Sequence, residues 1–223
     1  MMAQVAPSGA EIFIVDDDPA IREMLSIVFL QAGYRATCFA DGAALLASAR
    51  MTVPACIILD VNIPGRSGLD ILKQLNAEDY PAPIFVISGQ GDIPTAVDAI
   101  RNGALDFIEK PFRAGEVVAR VKESIEAWTQ RQQESTAPGP TPIGIPGREP
   151  LTRRERDVLN LIVAGASSKE AGRRLGISPR TVEFHRARIL EKVDAKNTAD
   201  LIRIVMSRHS PPGSPNVDAA PSS

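Results

Sequence analysis

Cysteine is scarce in this chain: two residues, Cys38 and Cys56, among 223. That excludes a disulfide framework. Each falls within an apolar strand-like run, so both are expected to be buried thiols in a reducing compartment. Histidine is equally sparse, with His185 and His209 the only two. A histidine-built metal centre is therefore disfavoured, and a phosphate or structural contact suits His185 better. Long hydrophobic runs are missing. No segment approaches the roughly 18 apolar residues of a membrane span, and the leading MMAQVAPSGA lacks the charged start and apolar core of a secretion signal. These absences predict a cytoplasmic protein with no membrane partner. No internal repeat is found.

A strong net charge is also lacking, but the value of −2 hides an asymmetry. Residues 1–149 hold 12 Lys and Arg against 19 Asp and Glu, a balance of −7. Residues 150–210 hold 13 against 7, a balance of +6. An acidic part joined to a basic part suggests two domains with different partners, nucleic acid being the natural one for the second. Between them, residues 135–150 carry prolines at 138, 140, 142, 146 and 150 and glycines at 139, 144 and 147. Such a stretch reads as a linker. The Pro/Ser-rich end from Ser210 reads as a disordered tail. The resulting division is a flexible N-terminus (1–10), a first domain (11–131), a linker (132–149), a second domain (150–209) and the tail (210–223).

The first domain is organised around CIILDVNIPGRSG, residues 56–68. A short unbroken apolar run ends at Asp60 and is followed by turn formers. Runs of that length suit strands buried on both faces. Further strands are read at 11–15, 34–39, 84–87 and 106–108, each followed by a segment of helical periodicity. Five strands alternating with five helices predict an α/β fold, a doubly wound five-stranded parallel sheet. The carboxyl ends of four strands then carry Asp16/Asp17, Asp60, Ser88 and Lys110. That edge is where ligands bind in open parallel sheets.

Singly, each of these residues has a structural explanation, since an Asp after a strand forms turns and acids before Pro19 favour a helix start. Jointly they point to phosphoryl chemistry. Crowded carboxylates need a cation, and acids with backbone carbonyls suit Mg²⁺. Asp16 and Asp17 would hold it with Asp60 and the backbone carbonyl of Asn62. An Asp beside a metal and a lysine can be a nucleophile toward phosphorus. Asp60 fits that role, with Lys110 pairing the charge and Ser88 bonding a phosphoryl oxygen.

IVDDDP, IILDVNIPGRSG, VISGQGDIP and DFIEKPF together resemble the receiver domain of response regulators, over roughly residues 10–128. The resemblance implies a flavodoxin-like receiver whose Asp60 takes a phosphoryl group from a sensor histidine kinase with Mg²⁺ bound. It carries over Ser88 as switch hydroxyl, Phe107 as switch aromatic and Lys110 as the invariant lysine. It also implies a cis peptide at Lys110-Pro111.

The second domain opens with Thr152 and Glu155 in a capping-box pattern, then an amphipathic helix stopped at Gly165. Ser168 is expected to cap a second helix. Ser178 caps a third, with Pro179 at its first position. Val182, Ile189 and Val193 form one apolar stripe on it. Arg180, Thr181, His185, Arg186, Arg188 and Lys192 are candidate phosphate contacts, with Lys169 on the preceding helix. Glu183, Phe184 and Ala187 lie where bases would be read in a major groove. Residues 150–206 resemble the LuxR-type helix-turn-helix, a small all-α module. Ala171-Gly172 departs from the bulkier pair common in its scaffold helix. With a receiver ahead of it, the chain is similar to NarL/FixJ-type regulators. That implies a phosphorylation-switched transcription factor on double-stranded promoter DNA, with RNA polymerase a further candidate partner.

An aspartyl-phosphate hydrolase of the haloacid dehalogenase kind would need a second Asp at position 62, where Asn62 stands. No outside-substrate turnover is expected, only slow self-dephosphorylation. An adaptor acting through protein contacts alone would not need the basic helix. Homodimerisation on phosphorylation is expected through the fourth helix and fifth strand. On that helix Ala96, Ala99 and Ile100 should face the sheet, leaving Ile93, Val97 and Arg101 as an outward stripe; the alternative is that this stripe packs against the chain's own basic domain and holds it inactive.

Overall fold

A computed structural model describes residues 9–89, 91–134 and 150–207. The expectations for residues 1–8, most of the linker and the tail with His209 lie outside these. Five parallel strands, β1 (Glu11–Val15), β2 (Arg35–Phe39), β3 (Cys56–Asp60), β4 (Ile84–Ser88) and β5 (Asp106–Glu109), form one sheet in the order β2-β1-β3-β4-β5. Helices α1 (Pro19–Gln31), α2 (Gly42–Met51), α3 (Gly68–Leu75), α4 (Ile93–Arg101) and α5 (Ala114–Glu134) connect and cover it. This is the doubly wound order with its switch point between β1 and β3.

The unbroken apolar strands are explained by two-sided cover. Every residue of β3 and β4 is buried. Ile12, Ile14 and Ile58 pack on one side with Leu25 and Phe29 of α1 and Val117 and Val121 of α5. Phe13, Ile57 and Leu59 pack on the other with Leu45, Ile71 and Ala99. Successive residues of a strand point to opposite faces, so both layers draw on the same strands. β2 is one of the two edge strands, and its cover is incomplete. Cys38 is accordingly exposed, contrary to the expectation of two buried thiols, while Cys56 is buried.

The helix starts follow local chemistry. Asp18 caps α1, its carboxylate accepting from the Ala20 N–H at 2.8 Å. One acid of the DDD triplet thus serves the helix and two remain for the strand edge. Helix α5 continues to Glu134, past the expected boundary at 131.

The second domain has four helices: α6 (Arg153–Val163), α7 (Ser168–Leu175), α8 (Pro179–Val193) and α9 (Thr198–Ser207). Thr152 and Glu155 form the expected capping box. Ser167, one residue before the expected Ser168, caps α7 in a second box with Glu170. Ala171 and Gly172 are buried. A Cβ on Gly172 would stand 2.7 Å from the Ile177 carbonyl oxygen. The tight approach of the turn to α7 therefore explains the small pair. The core of this domain, which includes Val158, Leu159, Val182 and Ile189, is continuous with one layer of the first.

Candidate functional site

The crevice at the switch point collects the residues expected there. Asp60 ends β3 and Asp16 directly follows β1; both are buried. With Asp17 they offer carboxylate oxygens all within 4.8 Å of one another. Lys110, just after β5, donates from Nζ to Asp60 Oδ2 at 2.6 Å and to Asp16 Oδ2 at 2.9 Å. The Asn62 N–H donates to Asp60 Oδ1 at 3.1 Å, and the Asp18 N–H to Asp16 Oδ1 at 2.9 Å. Arg22 Nη1 holds the carbonyls of Asp16 and Asp17 at 2.6 and 2.9 Å, fixing the β1–α1 turn. Gly68 lets the opposite loop close on the site. A Cβ there would lie 2.6 Å from the Asp60 carbonyl oxygen.

The electrostatics are unbalanced. Burial, and behind it the charge of Asp60, raises the Asp16 carboxyl above the ordinary carboxylate range, against the bonds from Lys110 and Asp18. Burial disfavours the Lys110 ammonium, but its bonds to Asp60 and Asp16 outweigh that and raise it above the usual lysine value. Three carboxylates face one ammonium, leaving excess negative charge. Hard oxygen donors with that deficit fit a small divalent cation such as Mg²⁺. Ser88 is buried at the end of β4, and its carbonyl accepts from the Lys110 N–H at 2.8 Å. The Lys110-Pro111 peptide is cis, as the resemblance implies.

The second site is α8, and here the structure departs from expectation. Helix α8 lies against β5, so the switch aromatic and the expected recognition helix touch. The rings of Phe107 and Phe184 are 5.9 Å apart, and the Arg180 guanidinium lies 5.1 Å over Phe107. Arg180 pairs with Glu109 at 3.6 Å, and Glu109 also accepts from the Gly91 N–H at 2.8 Å. At the start of α8, Asp106 of β5 accepts from the Ser178 N–H at 2.8 Å, from Ser178 Oγ at 3.0 Å and from Thr181 Oγ1. Arg120 of α5 donates to the same carboxylate, and Ser124 donates to the Gly176 carbonyl. Trp128 of α5 bonds the Pro81 carbonyl at 3.3 Å, with Arg154 stacked 5.5 Å above its ring.

Of the expected DNA contacts, Lys169, Arg180, Glu183 and Ala187 are exposed, and Phe184, Arg186 and Arg188 are partly covered. Thr181, His185 and Lys192 are buried, which corrects their assignment to an open face. Thr181 is closed off by Asp106. His185 is neutral, burial chiefly lowering its pKa to about 3, with Arg154 and Arg188 adding to the effect. It is therefore no cationic phosphate clamp. Lys192 is a core residue: Nζ donates to the buried Glu155 at 2.9 Å and to the Pro150 carbonyl at 3.3 Å. Arg188 Nε meets the same Glu155 at 2.9 Å. Arg186 Nε donates to Thr198 Oγ1 at 3.1 Å, bracing α9.

On α4, Ala96, Ala99 and Ile100 face inward as expected, and Ile93 is 47% exposed. Val97 and Arg101 instead line a cavity of about 490 Å³ shared with Tyr80, Phe184, His185 and Arg188. Two of the three stripe residues, Val97 and Arg101, thus face the second domain. Asp106, Arg120 and Glu155 were missed as functional residues. No local signal marks Asp106, since β5 (DFIE) carries an acid at either end.

Residues 12–122 match the family described as response regulator receiver domain, and residues 149–205 match bacterial regulatory proteins, luxR family. The transcriptional regulatory protein FixJ of Azorhizobium caulinodans is 36% identical over 200 residues, covering 90% of this chain and 93% of its own. The response regulator protein TodT of Pseudomonas putida is 37% identical over 203 residues, covering 91% and 88%. The solved structure of response regulator StyR is 29% identical with a TM-score of 0.50, covering 88% of this chain and 98% of StyR. A receiver with an acidic crevice, joined to a LuxR-type helix-turn-helix, defines a two-component transcriptional regulator controlled by phosphorylation. Within that class the chain belongs to the NarL/FixJ type of response regulator. No described helix is long and apolar enough to cross a membrane.

Proposed function

We propose that Asp60 is the phosphoryl acceptor, that a sensor histidine kinase is the donor, and that phosphorylation promotes dimerisation and promoter binding in the cytoplasm. The observation that carries this reading is Lys110 Nζ bridging Asp60 and Asp16 in the switch-point crevice. A carboxylate oxygen of Asp60 attacks the phosphorus of a phosphohistidine. The O–P bond forms as the N–P bond breaks, and the imidazole leaves with a proton. Lys110 is placed to balance charge on the transferred group, and the Asn62 N–H orients the attacking carboxylate. Asp16, Asp17, Asp60 and the Asn62 carbonyl would hold Mg²⁺, which when bound spreads the charge of the phosphoryl oxygens. Ser88 takes the role of switch hydroxyl. Turnover ends with slow hydrolysis of the acyl phosphate, without an outside substrate. RNA polymerase is the further protein partner at a promoter.

A second feature of the reading is closure. Contact of α8 with β5 favours a resting state in which the second domain covers the face that dimerises. Movement of Phe107 toward the space beside Ser88 would withdraw its ring from Phe184 and Arg180. That frees α8 together with Val97 and Arg101 of the stripe, beside the already exposed Ile93. Acetyl phosphate labelling with Mg²⁺ tests the acceptor: Asp60→Asn should abolish it, and undiminished label would reject the assignment. Sedimentation velocity with and without beryllofluoride tests the dimer. A wild type that stays monomeric with the mimic bound would remove dimerisation from the scheme.

A further inference from the structure

We propose that Asp106 is an internal stand-in for a DNA phosphate, seated on the donors through which the start of α8 grips the backbone. The inference rests on the reading that α8 engages DNA.

The donor set has the chemistry of an anion site. One backbone N–H, from Ser178, and two hydroxyls, from Ser178 and Thr181, converge on one carboxylate at the head of a 15-residue helix. Aligned peptide dipoles and unpaired N–H groups favour an anion there. Backbone amides, Ser/Thr hydroxyls and helix N-termini are also what proteins turn toward DNA phosphates. The site holds an anion in this structure, and that anion belongs to the receiver. Asp106 is 1% exposed and Thr181 is 0% exposed, so no phosphate can share the donors while the carboxylate is present. Arg120 donates to Asp106 from the receiver side. The carboxylate thus stays compensated by its own domain when α8 leaves. Phe107, the next residue, donates its N–H to Asp106 Oδ1 at 2.9 Å and packs on Phe184. A shift of Phe107 would therefore move the mimic itself. Arg180 beside it is similarly engaged by Glu109. One strand of the receiver thus occupies both the neutral donors and the first cation of the helix.

The test uses the full chain and a fluorescein-labelled 30-bp duplex of random sequence, read by anisotropy with and without beryllofluoride. Asp106→Asn should tighten binding of the unmodified chain about tenfold and shrink the response to beryllofluoride by the same factor. Thr181→Val, a change in the other domain, tests the shared donor and covers the case in which Asp106→Asn fails to fold. It should weaken binding of the beryllofluoride form several-fold, because the donor that Asp106 vacates is the one a phosphate takes. The mimicry is overturned if activated wild type binds the duplex while Asp106→Asn leaves resting affinity unchanged. Unchanged activated affinity in Thr181→Val overturns it equally. A wild type that ignores the duplex even with beryllofluoride overturns the underlying DNA reading, and the mimicry with it.

Discussion

Phe184→Ala should open the molecule without any phosphoryl group. The side chain stacks on Phe107 at 5.9 Å and lies 5.9 Å under the Arg180 guanidinium, whose other aromatic contact is Phe107 itself. An aromatic pair contributes about 0.5–1.5 kcal/mol beyond its area, and a cation–π contact at a half-exposed site about 0.5–1 kcal/mol. Truncation removes the first and weakens the second, so the loss is roughly 1–2 kcal/mol, a factor of about 5–30 in the closed-to-open ratio. Trp128 is the only tryptophan in the chain and lies in the same interface under Arg154. Opening strips Arg154 from the ring while the Pro81 bond, inside the receiver, stays, so emission should shift red and iodide should quench it more strongly. Small-angle scattering should report a larger radius of gyration in parallel. DNA affinity is a poorer readout, because Phe184 is itself a proposed base contact. If the resting emission and radius of Phe184→Ala equal those of wild type, while beryllofluoride still shifts both, the aromatic contact does not hold the domains together.

Glu155→Ala should destabilise the second domain by about 3–5 kcal/mol in urea melts, because it removes the buried carboxylate that both Lys192 and Arg188 meet and breaks a capping box; a loss under about 1 kcal/mol would contradict that. His185 should make the chain acid-sensitive. Its pKa of about 3 in the folded state lies below the unfolded value of about 6.5, so the unfolded chain binds the extra proton and stability held above pH 6.5 is lost as pH falls. Moving from pH 7 to pH 5 should cost about 2 kcal/mol more in wild type than in His185→Asn, by thermal melting at both pH values. Arg186→Ala should lower the melting point through lost bracing of Thr198 as well as weaken DNA binding. Glu183→Ala should change sequence preference, which a selection from random duplexes would reveal.

The receiver was legible because its rules are local. Strands buried on both faces read as unbroken apolar runs, and the residue after each run lies on the ligand edge. Asp16, Asp60 and Lys110 could therefore be brought together from residues 94 and 50 positions apart. The lone exposed thiol was not legible, because nothing in RATCF says that the strand is an edge. On α8, the spacing of Val182, Ile189 and Val193 correctly marks the inner face. It cannot say that a second domain covers the rest. The Asp106–Ser178 bond spans 72 residues of sequence, and neither partner carries a local mark of it. Lys192 was misplaced for a related reason. A lysine on a basic helix looks solvated until a carboxylate 37 residues away is found inside the core.

In the proposed scheme the second domain and a second receiver compete for the α4–β5 face, which sets how the regulator responds to its own abundance. The second domain is tethered to the receiver, so it competes for that face at an effective concentration of roughly millimolar, however many copies the cell makes. A second receiver meets the face only at its actual concentration, which is far lower. Overproduction alone therefore does not populate dimers of the resting form. The phosphoryl group must first weaken the internal competitor, after which pairing depends on the square of the modified fraction. On that scheme a small modified fraction yields disproportionately few pairs, and the output rises more than in proportion to phosphorylation.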